Sequence, residues 1–491
     1  MPKFVLLWTD VAVWLLIAAL IGYTLYARRQ PNLAATWRKV FADSAALAAS
    51  VVLGLCLLLT LADSVHFRSR LPAAAGAPEG SVAYEARVQS ALDVVLRPLV
   101  QSREATYSRP LAFVGFTKES QQVDGRVARV APRLKHGGAH LADPANDWLA
   151  DVLRRVATGL AGGLAVGAAL FALLIAALPR RAGQRYADMA GAVWHGETPI
   201  PWRVAGFTLA AIGALGGVVA SLMGYYHPFG TDITGNDVLY QTLKSIRTAF
   251  VIGTLATLAT LPFAVVLGIM AGYLKGWVDE LIQYIYTVLS SIPSILLIAA
   301  CVLIVQVFLD KHPELFETSL ERADVKLFLL CAVLGLTGWA GLCRLLRAET
   351  LKLRELEYVQ AASAFGVSHG RIMVRHIFPN VAHLMLIVTV LEFSSLILFE
   401  AVLSYVGVGV DPSMNSFGGM INLARNEMSR DPVVWWPFAA AFTFMVALVL
   451  AANLFADGVR DAFDPRSRAF RPRISRRKPK AEPMAEEAAH A

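Results

Sequence analysis

The chain has 491 residues, of which 56% are hydrophobic and only 17% charged, whereas a water-soluble domain carries about a quarter charged residues. The apolar residues gather in runs of about 20, the length that a bilayer core demands, so the composition excludes a wholly water-soluble fold. A formal charge of +8 does not call for nucleic acid, because basic residues collect on the cytoplasmic face of membrane proteins.

Taken in chain order, the apolar windows predict an all-α, polytopic membrane protein of about nine transmembrane helices. They run roughly over 4–26, 45–62, 156–178, 203–222, 248–273, 281–309, 325–343, 380–404 and 433–457. The first window has Lys3 as its basic flank and no small-residue cleavage site before Arg28 and Arg29, so it is expected to be a retained span and not a signal peptide. Cys56, Cys301, Cys331 and Cys343 all fall in spans or at their edges, where neither a disulfide framework nor a zinc cluster is expected. Between the second and third spans lies an outer (periplasmic) loop at about 63–155, in which Val88, Ala91, Leu92, Val95 and Leu99 recur at helical spacing over Val82 to Leu99. Pro262 and Pro293 are expected to kink their spans. The tail at 467–491 is rich in Pro, Arg, Lys, Glu and Ala and is expected to be disordered and cytoplasmic.

Orientation follows from the basic residues. Arg28, Arg29, Arg38 and Lys39 follow the first span, Arg180, Arg181 and Arg185 the third, and Arg344, Arg347, Lys352 and Arg354 the seventh, while the connection 310–324 is acidic. One arrangement satisfies all of these, with the N-terminus periplasmic and the C-terminus cytoplasmic. Asn146-Asp147 and the residues after it echo Asn236-Asp237; convergence of two amphipathic stretches ahead of spans is preferred to a duplication.

Few polar residues enter the spans. Glu392 and Glu400 lie in the eighth, eight residues and so about 80° apart around the helix. An ionisable group in a span usually faces a bundle interior or an aqueous cavity, so both are candidates for a translocation path, Glu400 ahead of Glu392. The bland alternative for Glu400 is a place near the outer interface or a structural pairing. Asp10 and Asp457 sit near span ends, where an ordinary interfacial placement is expected.

The segment between the seventh and eighth spans is the most informative. Glu357-Tyr-Val-Gln-Ala-Ala-Ser-Ala-Phe-Gly366 has the pattern of a short amphipathic helix closed by a C′ glycine. Tyr358, Ala361, Ala362 and Phe365 fall on one side of it at intervals of three or four, and the paired alanines keep that face shallow. Pro379 marks the start of the next span.

Gln360-Ala361-Ala362, Gly366 and Pro379 resemble the "EAA" loop of permeases from binding-protein-dependent ABC importers, with Gln360 in place of the usual Glu. Three further blocks resemble the dipeptide and oligopeptide permease subfamily: His227-Pro-Phe-Gly-Thr-Asp232 with Gly235 and Asp237; Glu400 to Gly409 with Pro412 and Ser416-Phe-Gly418; and Asn453 to Asp461 with Asp464-Pro-Arg466. Together they cover about residues 200–470 in the family's order.

The resemblance implies a C-type permease subunit of the bacterial inner membrane. Its division would be an N-terminal extension over 1–200 with three spans, a six-span type I permease core over 201–466, and the tail. It implies a homologous second permease, two ATPase subunits, a periplasmic substrate-binding protein and surrounding lipid as partners, and no nucleic acid. It also implies that Gln360, Ala361, Ala362, Gly366 and Pro379 couple the chain to its ATPases, and that the cargo is a di- or oligopeptide. A metal complex or a peptide antibiotic is the rival cargo, and a membrane scaffold or sensor using the 63–155 loop is the rival of another class. No Gly-x-x-x-x-Gly-Lys-[Ser/Thr] phosphate loop or His-Glu-x-x-His motif occurs in the sequence. The chain is therefore expected to be no enzyme and to hold no cofactor, with ATP hydrolysed by partner subunits.

Overall fold

A computed structural model describes residues 3–71, 84–85, 87–123, 126–178 and 186–464. The expected tail and the basic residues Arg180, Arg181 and Arg185 lie outside the described residues. Three helices come first: α1 (Trp8–Arg29), α2 (Pro31–Ala42) and α3 (Ser44–Asp63). The segment between α3 and the next long helix carries the short α4 (Ala91–Val95) and α5 (Arg97–Gln101). The chain returns through α6 (Pro144–Ala177), α7 (Tyr186–His195) and α8 (Trp202–Leu222). Then follow α9 (Val238–Leu274), α10 (Gly276–Ser291), α11 (Ser294–Lys311) and the pair α12 (Ser319–Gly338) and α13 (Ala340–Arg354). After α14 (Glu357–Ala364), α15 (His369–Ile372) runs through a π-helical turn, Met373–Ile377, into α16 (Phe378–Val406). The last helices are α17 (Phe417–Glu427) and α18 (Trp436–Phe463). Strands occur only in small outer elements among the described residues. β1 (Lys3–Val5), β2 (His66–Arg68) and β3 (Gln89–Ser90) form one antiparallel sheet, with Phe4 opposite Phe67, and β4 (Glu119–Val123) pairs with β5 (Arg126–Val130) as a hairpin.

Eight helices, counting α15 to α16 as one, are long and apolar enough to cross a membrane, and the α12–α13 pair, bent 40°, makes a ninth. This is the all-α, multi-pass architecture expected. One span differs in kind. The window 281–309 is not one kinked helix but two helices, because Ile292 takes extended backbone (φ −89, ψ 132) ahead of Pro293, as steric conflict with a proline ring favours. α11 alone qualifies as the span, and the 16-residue α10 stands apart. Pro262, by contrast, lies inside an unbroken α9.

Two helices are longer than their apolar windows. α6 has 34 residues and α9 has 37, so at 1.5 Å per residue α9 is about 55 Å long and outreaches the ~30 Å hydrocarbon layer. The residues ahead of these two spans continue the same helix. Their shared Asn-Asp plays different parts: Asp237 caps α9, whereas α6 is capped by Asp143 and holds Asp147 within its first turn. Within the expected stretch 82–99, the residues from Gln89 onward form not one helix but a strand and two short helices, α5 beginning just before Pro98; Leu92, Leu96 and Leu99 are nonetheless buried.

Packing joins the early and late helices. α6 and α8 meet backbone to backbone where Gly159 and Gly163 face Gly217 and Gly213, the close approach that small residues permit in lipid. α3 lies against α9 and α18, and α1 against α12 and α9. Val13 of α1 is buried with Ile252, Leu255 and Leu330 in one shared core cluster.

Candidate functional site

α14 stands at one end of the bundle, between α13 and the start of the eighth span. Val359 is 2% exposed, and Ala362 packs beside it with Val367 and Met373 on the cluster centred on Leu346 and Ile372. Ala361 and Phe365 are exposed, Phe365 with 88% of its surface free, while Tyr358 is held at the start of α16, its hydroxyl accepting from Asn380 Nδ2–H at 3.3 Å. The single face expected for all four is thus divided: Ala362 belongs to the anchored side, and Ala361 to the open one. The reason is the 100° step between neighbours on a helix, which sends two adjacent alanines to different sectors once Val359 fixes the buried direction.

The helix closes as the sequence implied. Gly366 is left-handed (φ +74), its N–H donates to Ser363 O at 3.0 Å, and the Val367 N–H donates to Ala362 O at 3.1 Å. This is a Schellman cap with its customary apolar contact, here Val367 against Ala362. Gln360 is exposed and donates its side-chain N–H to Glu355 O at 3.2 Å, a bond that the family's usual glutamate could not donate.

Polar links tie this end to α9, α10 and α16. Glu355 pairs with Lys275 at 2.9 Å, which holds its carboxyl below the usual range. Asp279 grips Arg347 through two bonds of 2.5 and 2.7 Å, the strong bidentate geometry of guanidinium and carboxylate. Tyr273 Oη, near the end of α9, lies 3.1 Å from His369 Nδ1. Pro379 does not begin the span. The helical run already starts at His369, and the π-helical turn just before Pro379 absorbs a residue that lacks an N–H and crowds the preceding turn.

The two glutamates of α16 differ in setting. Glu400 is 1% exposed and accepts from Ser404 Oγ at 2.6 Å, in a region where Gly418 of α17 presses against Ala401 and Ser404. Glu392 is half-buried.

A second cluster gathers at the opposite end of α9. Asp237 caps the helix, accepting from the N–H groups of Leu239 and Tyr240 at 2.8 and 3.3 Å, and its other oxygen lies 2.7 Å from Nδ1 of buried His227. His227 Nε2 lies 3.4 Å from Glu104, whose carboxylate also accepts from the backbone N–H of Lys135, His136 and Gly137 at 2.9, 2.8 and 3.1 Å. Burial alone would lower the His227 pKa, but the bonds to Asp237 and Glu104 outweigh it and hold it up at about 9. Burial likewise works to raise Glu104, and His227 with the three backbone donors brings it down to about 2. The result is an imidazolium seated between two carboxylates, Asp237 at the start of α9 and Glu104 from the segment between α3 and α6.

The backbone around it is interwoven. Glu104 N–H donates to Gly235 O at 2.9 Å, Ser108 N–H to Thr231 Oγ1 at 2.7 Å, Leu111 N–H to His227 O at 2.9 Å, and Trp436 Nε1–H to Thr231 O at 2.9 Å. At Gly235 (φ +75) a Cβ would strike the Glu104 carbonyl. Further along α9, Arg247 donates to Asp10 at 2.6 Å and to Thr9 Oγ1 at 2.9 Å, and His66 Nδ1 lies 2.7 Å from the same Asp10. The Thr9 N–H donates to buried Asp324 at 3.0 Å. Lys244 pairs with Asp63 and Asp93 at 2.5 and 3.1 Å.

These partners escaped the sequence reading. Asp10 is not an interfacial carboxylate but 1% exposed and ion-paired. A usable signal was present, since Arg247 abuts a long apolar run and an ionised group there demands an opposite charge. Glu104 offered no comparable signal, because its setting is made by backbone N–H groups of a loop some thirty residues away.

The chain is similar to known membrane transport proteins. The profile of the protein family described as binding-protein-dependent transport system inner membrane component matches residues 264–469. The oligopeptide transport system permease protein OppC of Mycobacterium tuberculosis (strain H37Rv) is 32% identical over 248 residues, 50% of this chain and 79% of that protein. The dipeptide transport system permease protein DppC of Alkalihalophilus pseudofirmus is 33% identical over 240 residues, covering 49% and 72%. The glutathione transport system permease protein GsiD of Pectobacterium atrosepticum is 32% identical over 241 residues, covering 49% and 73%.

Proposed function

We propose a function on one premise: the chain belongs to the binding-protein-dependent inner membrane components, the permease subunits of ABC importers. On that premise it forms one half of a translocation pore for di- or oligopeptides, works beside a homologous second permease, and takes its power from two ATPase subunits. A periplasmic binding protein delivers the cargo. Residues 201–466 act as the six-span pore unit and residues 1–200 as an extension, with the N-terminus periplasmic and the C-terminus cytoplasmic.

The observation that carries this reading is α14. A short helix anchored on one side by Val359 and Ala362 and bare on the other, with Phe365 almost wholly exposed, is a surface that lacks its partner. The ATPase fits that place. Ala361 on the bare side makes the contact, Gln360 and the Gly366 cap fix the helix ends, and Pro379 sets where the following span bends. Closure of the ATPases on ATP moves α14, and the Lys275–Glu355 and Tyr273–His369 contacts pass the motion to α9 and α16. Alternating access then follows as a bias between two states of the pore. Glu392, the less buried of the two glutamates, is the better candidate to face the path; Glu400 lies enclosed where α17 packs on α16.

The test is peptide uptake by the complex reconstituted in vesicles. Ala361→Glu should assemble with its partners and lose ATP-driven uptake. Normal uptake by that variant removes α14 from the coupling mechanism, and a complex that never contains an ATPase removes the importer reading altogether.

A further inference from the structure

A cavity of about 290 Å³ lies between the first helices of the chain and those that follow residue 238. α1 contributes Leu16 and Leu20, α3 contributes Leu53 and Leu57, and Leu258 and Phe393 face them from α9 and α16. Three threonines also line it, but each hydroxyl is used on its own helix: Thr254 donates to Phe250 O at 2.8 Å, Thr257 to Gly253 O at 2.6 Å, and Thr389 to Met385 O at 2.7 Å. The wall is therefore apolar throughout. It sits at the middle of α1 and α3, which is hydrocarbon depth, and Leu20 and Leu258 are exposed at its rim. A dry apolar cavity of roughly half this volume takes up benzene, so one of this size has room for a longer hydrocarbon.

What lies beneath the cavity identifies the occupant. Val390 and Phe455 line it and also pack on the cluster formed by Trp37, Val40 and Val459, which brings α2 next to it behind these two side chains. Trp37 Nε1–H donates to Tyr23 Oη at 3.1 Å, an aromatic pair of the kind that settles at headgroup level. Arg28 and Arg29 end α1, Arg38 and Lys39 stand on α2, and all four are exposed and form no ion pair among the described residues. Leu20 precedes Arg28 by eight residues, about 12 Å along a helix, within reach of one lipid tail and its phosphate.

We propose that this cavity and the basic turn beneath it bind one anionic glycerophospholipid, with an acyl chain among Leu16, Leu20, Leu53 and Leu57 and its phosphate at Arg28, Arg29, Arg38 and Lys39. The lipid would fill the seam between the first two spans and the rest of the bundle. This site does not depend on which peptide is carried or on how α14 couples.

The experiment is native mass spectrometry of the intact complex after delipidation, with phosphatidylglycerol or phosphatidylcholine added back. The wild type should bind one phosphatidylglycerol at least tenfold more tightly than phosphatidylcholine. A basic residue near an anionic headgroup contributes roughly fivefold, so R28Q/R29Q/R38Q/K39Q should erase that preference. Leu20→Trp, which fills the cavity mouth, should weaken both lipids. If Leu20→Trp fails to assemble, the quadruple variant decides alone, because its four side chains are exposed and leave the packing intact. Equal binding of the two lipids, or an unchanged preference in the quadruple variant, overturns the proposal. So does a cross-link from Leu20→Cys to the second permease subunit, which would make the occupant a protein.

Discussion

The two ends of α9 are built on opposite terms. At one end, α14 is held by a few apolar side chains and a glycine cap and leaves its other side bare. At the other, His227, Asp237 and Glu104 form a buried ionic cluster wrapped in cross-chain backbone bonds. A surface meant to meet a partner must stay unsatisfied within its own chain. A junction between two parts of one chain can be satisfied completely, and this one is. Breaking the first should therefore change function and spare the fold, and breaking the second should do the reverse.

The largest effect is expected from starting the chain near Pro201. That removes Glu104, Asp10, Asp63 and Asp93: Lys244 loses both of its carboxylates, Arg247 keeps only the 3.8 Å contact to Asp324, and His227 keeps Asp237 alone. Breaking a buried pair costs about 3–5 kcal/mol, so losing four carboxylates from one junction takes a large share of the stability of a typical protein. No folded complex should be recovered by size-exclusion chromatography. A normal yield of assembled, truncated complex would make this junction ornamental and residues 1–200 a separable accessory. Glu104→Ala isolates the effect in one residue, with an expected loss of about 3–5 kcal/mol read as a lowered unfolding temperature in detergent.

pH sharpens the same contrast. The folded pKa of His227 is raised to about 9 from 6.5, so its contribution is complete below 6.5 and is lost as pH rises through 9. Glu104 is lowered to about 2 from 4.5; its contribution is complete above 4.5 and is lost as pH falls toward 2. Thermal stability should thus hold a plateau between these limits and decline on the alkaline side, by about 3 kcal/mol for the His227 shift. His227→Gln should lower the plateau and flatten that alkaline decline. An alkaline limb of equal depth in the variant would place its origin elsewhere.

At the α14 end the effects are smaller in stability and larger in function. Ala361→Glu should leave the unfolding temperature unchanged while uptake disappears. Ala362→Glu puts a charge against Val359 and Val367, and should cost about 1–3 kcal/mol before any question of coupling arises. If both variants unfold alike, the division of the helix into an anchored and an open side is wrong. The smallest effect belongs to Gly366→Ala, which forces a side chain into left-handed backbone for about 1–2 kcal/mol although no neighbour crowds it. Gly366→Asn should recover part of that loss, because asparagine tolerates the conformation.

How much of this was legible in the sequence depended on the range of the interaction. The spans and the Gly366 cap follow from local periodicity and turn chemistry, and were visible. The break at Pro293 was visible as a perturbation, but its depth was not, since a kink and a break differ only in whether neighbouring helices restore the lost bonds; Pro262 and Pro293 fell on opposite sides of that line. The separation of Ala361 from Ala362 needed the buried direction of Val359, which tertiary packing sets. The outer junction was least accessible. Glu104 meets His227 across 123 residues, and no periodicity in either stretch announces the other.

The most direct measurement for the permease reading is a cross-link from the bare side of α14. With Phe365→Cys and a single engineered cysteine on the ATPase subunit, the complex should yield a cross-linked pair in membranes, with a yield that changes when a non-hydrolysable ATP analogue is added. Absence of any cross-link in every nucleotide state, from a complex that still contains its ATPases, would contradict the account.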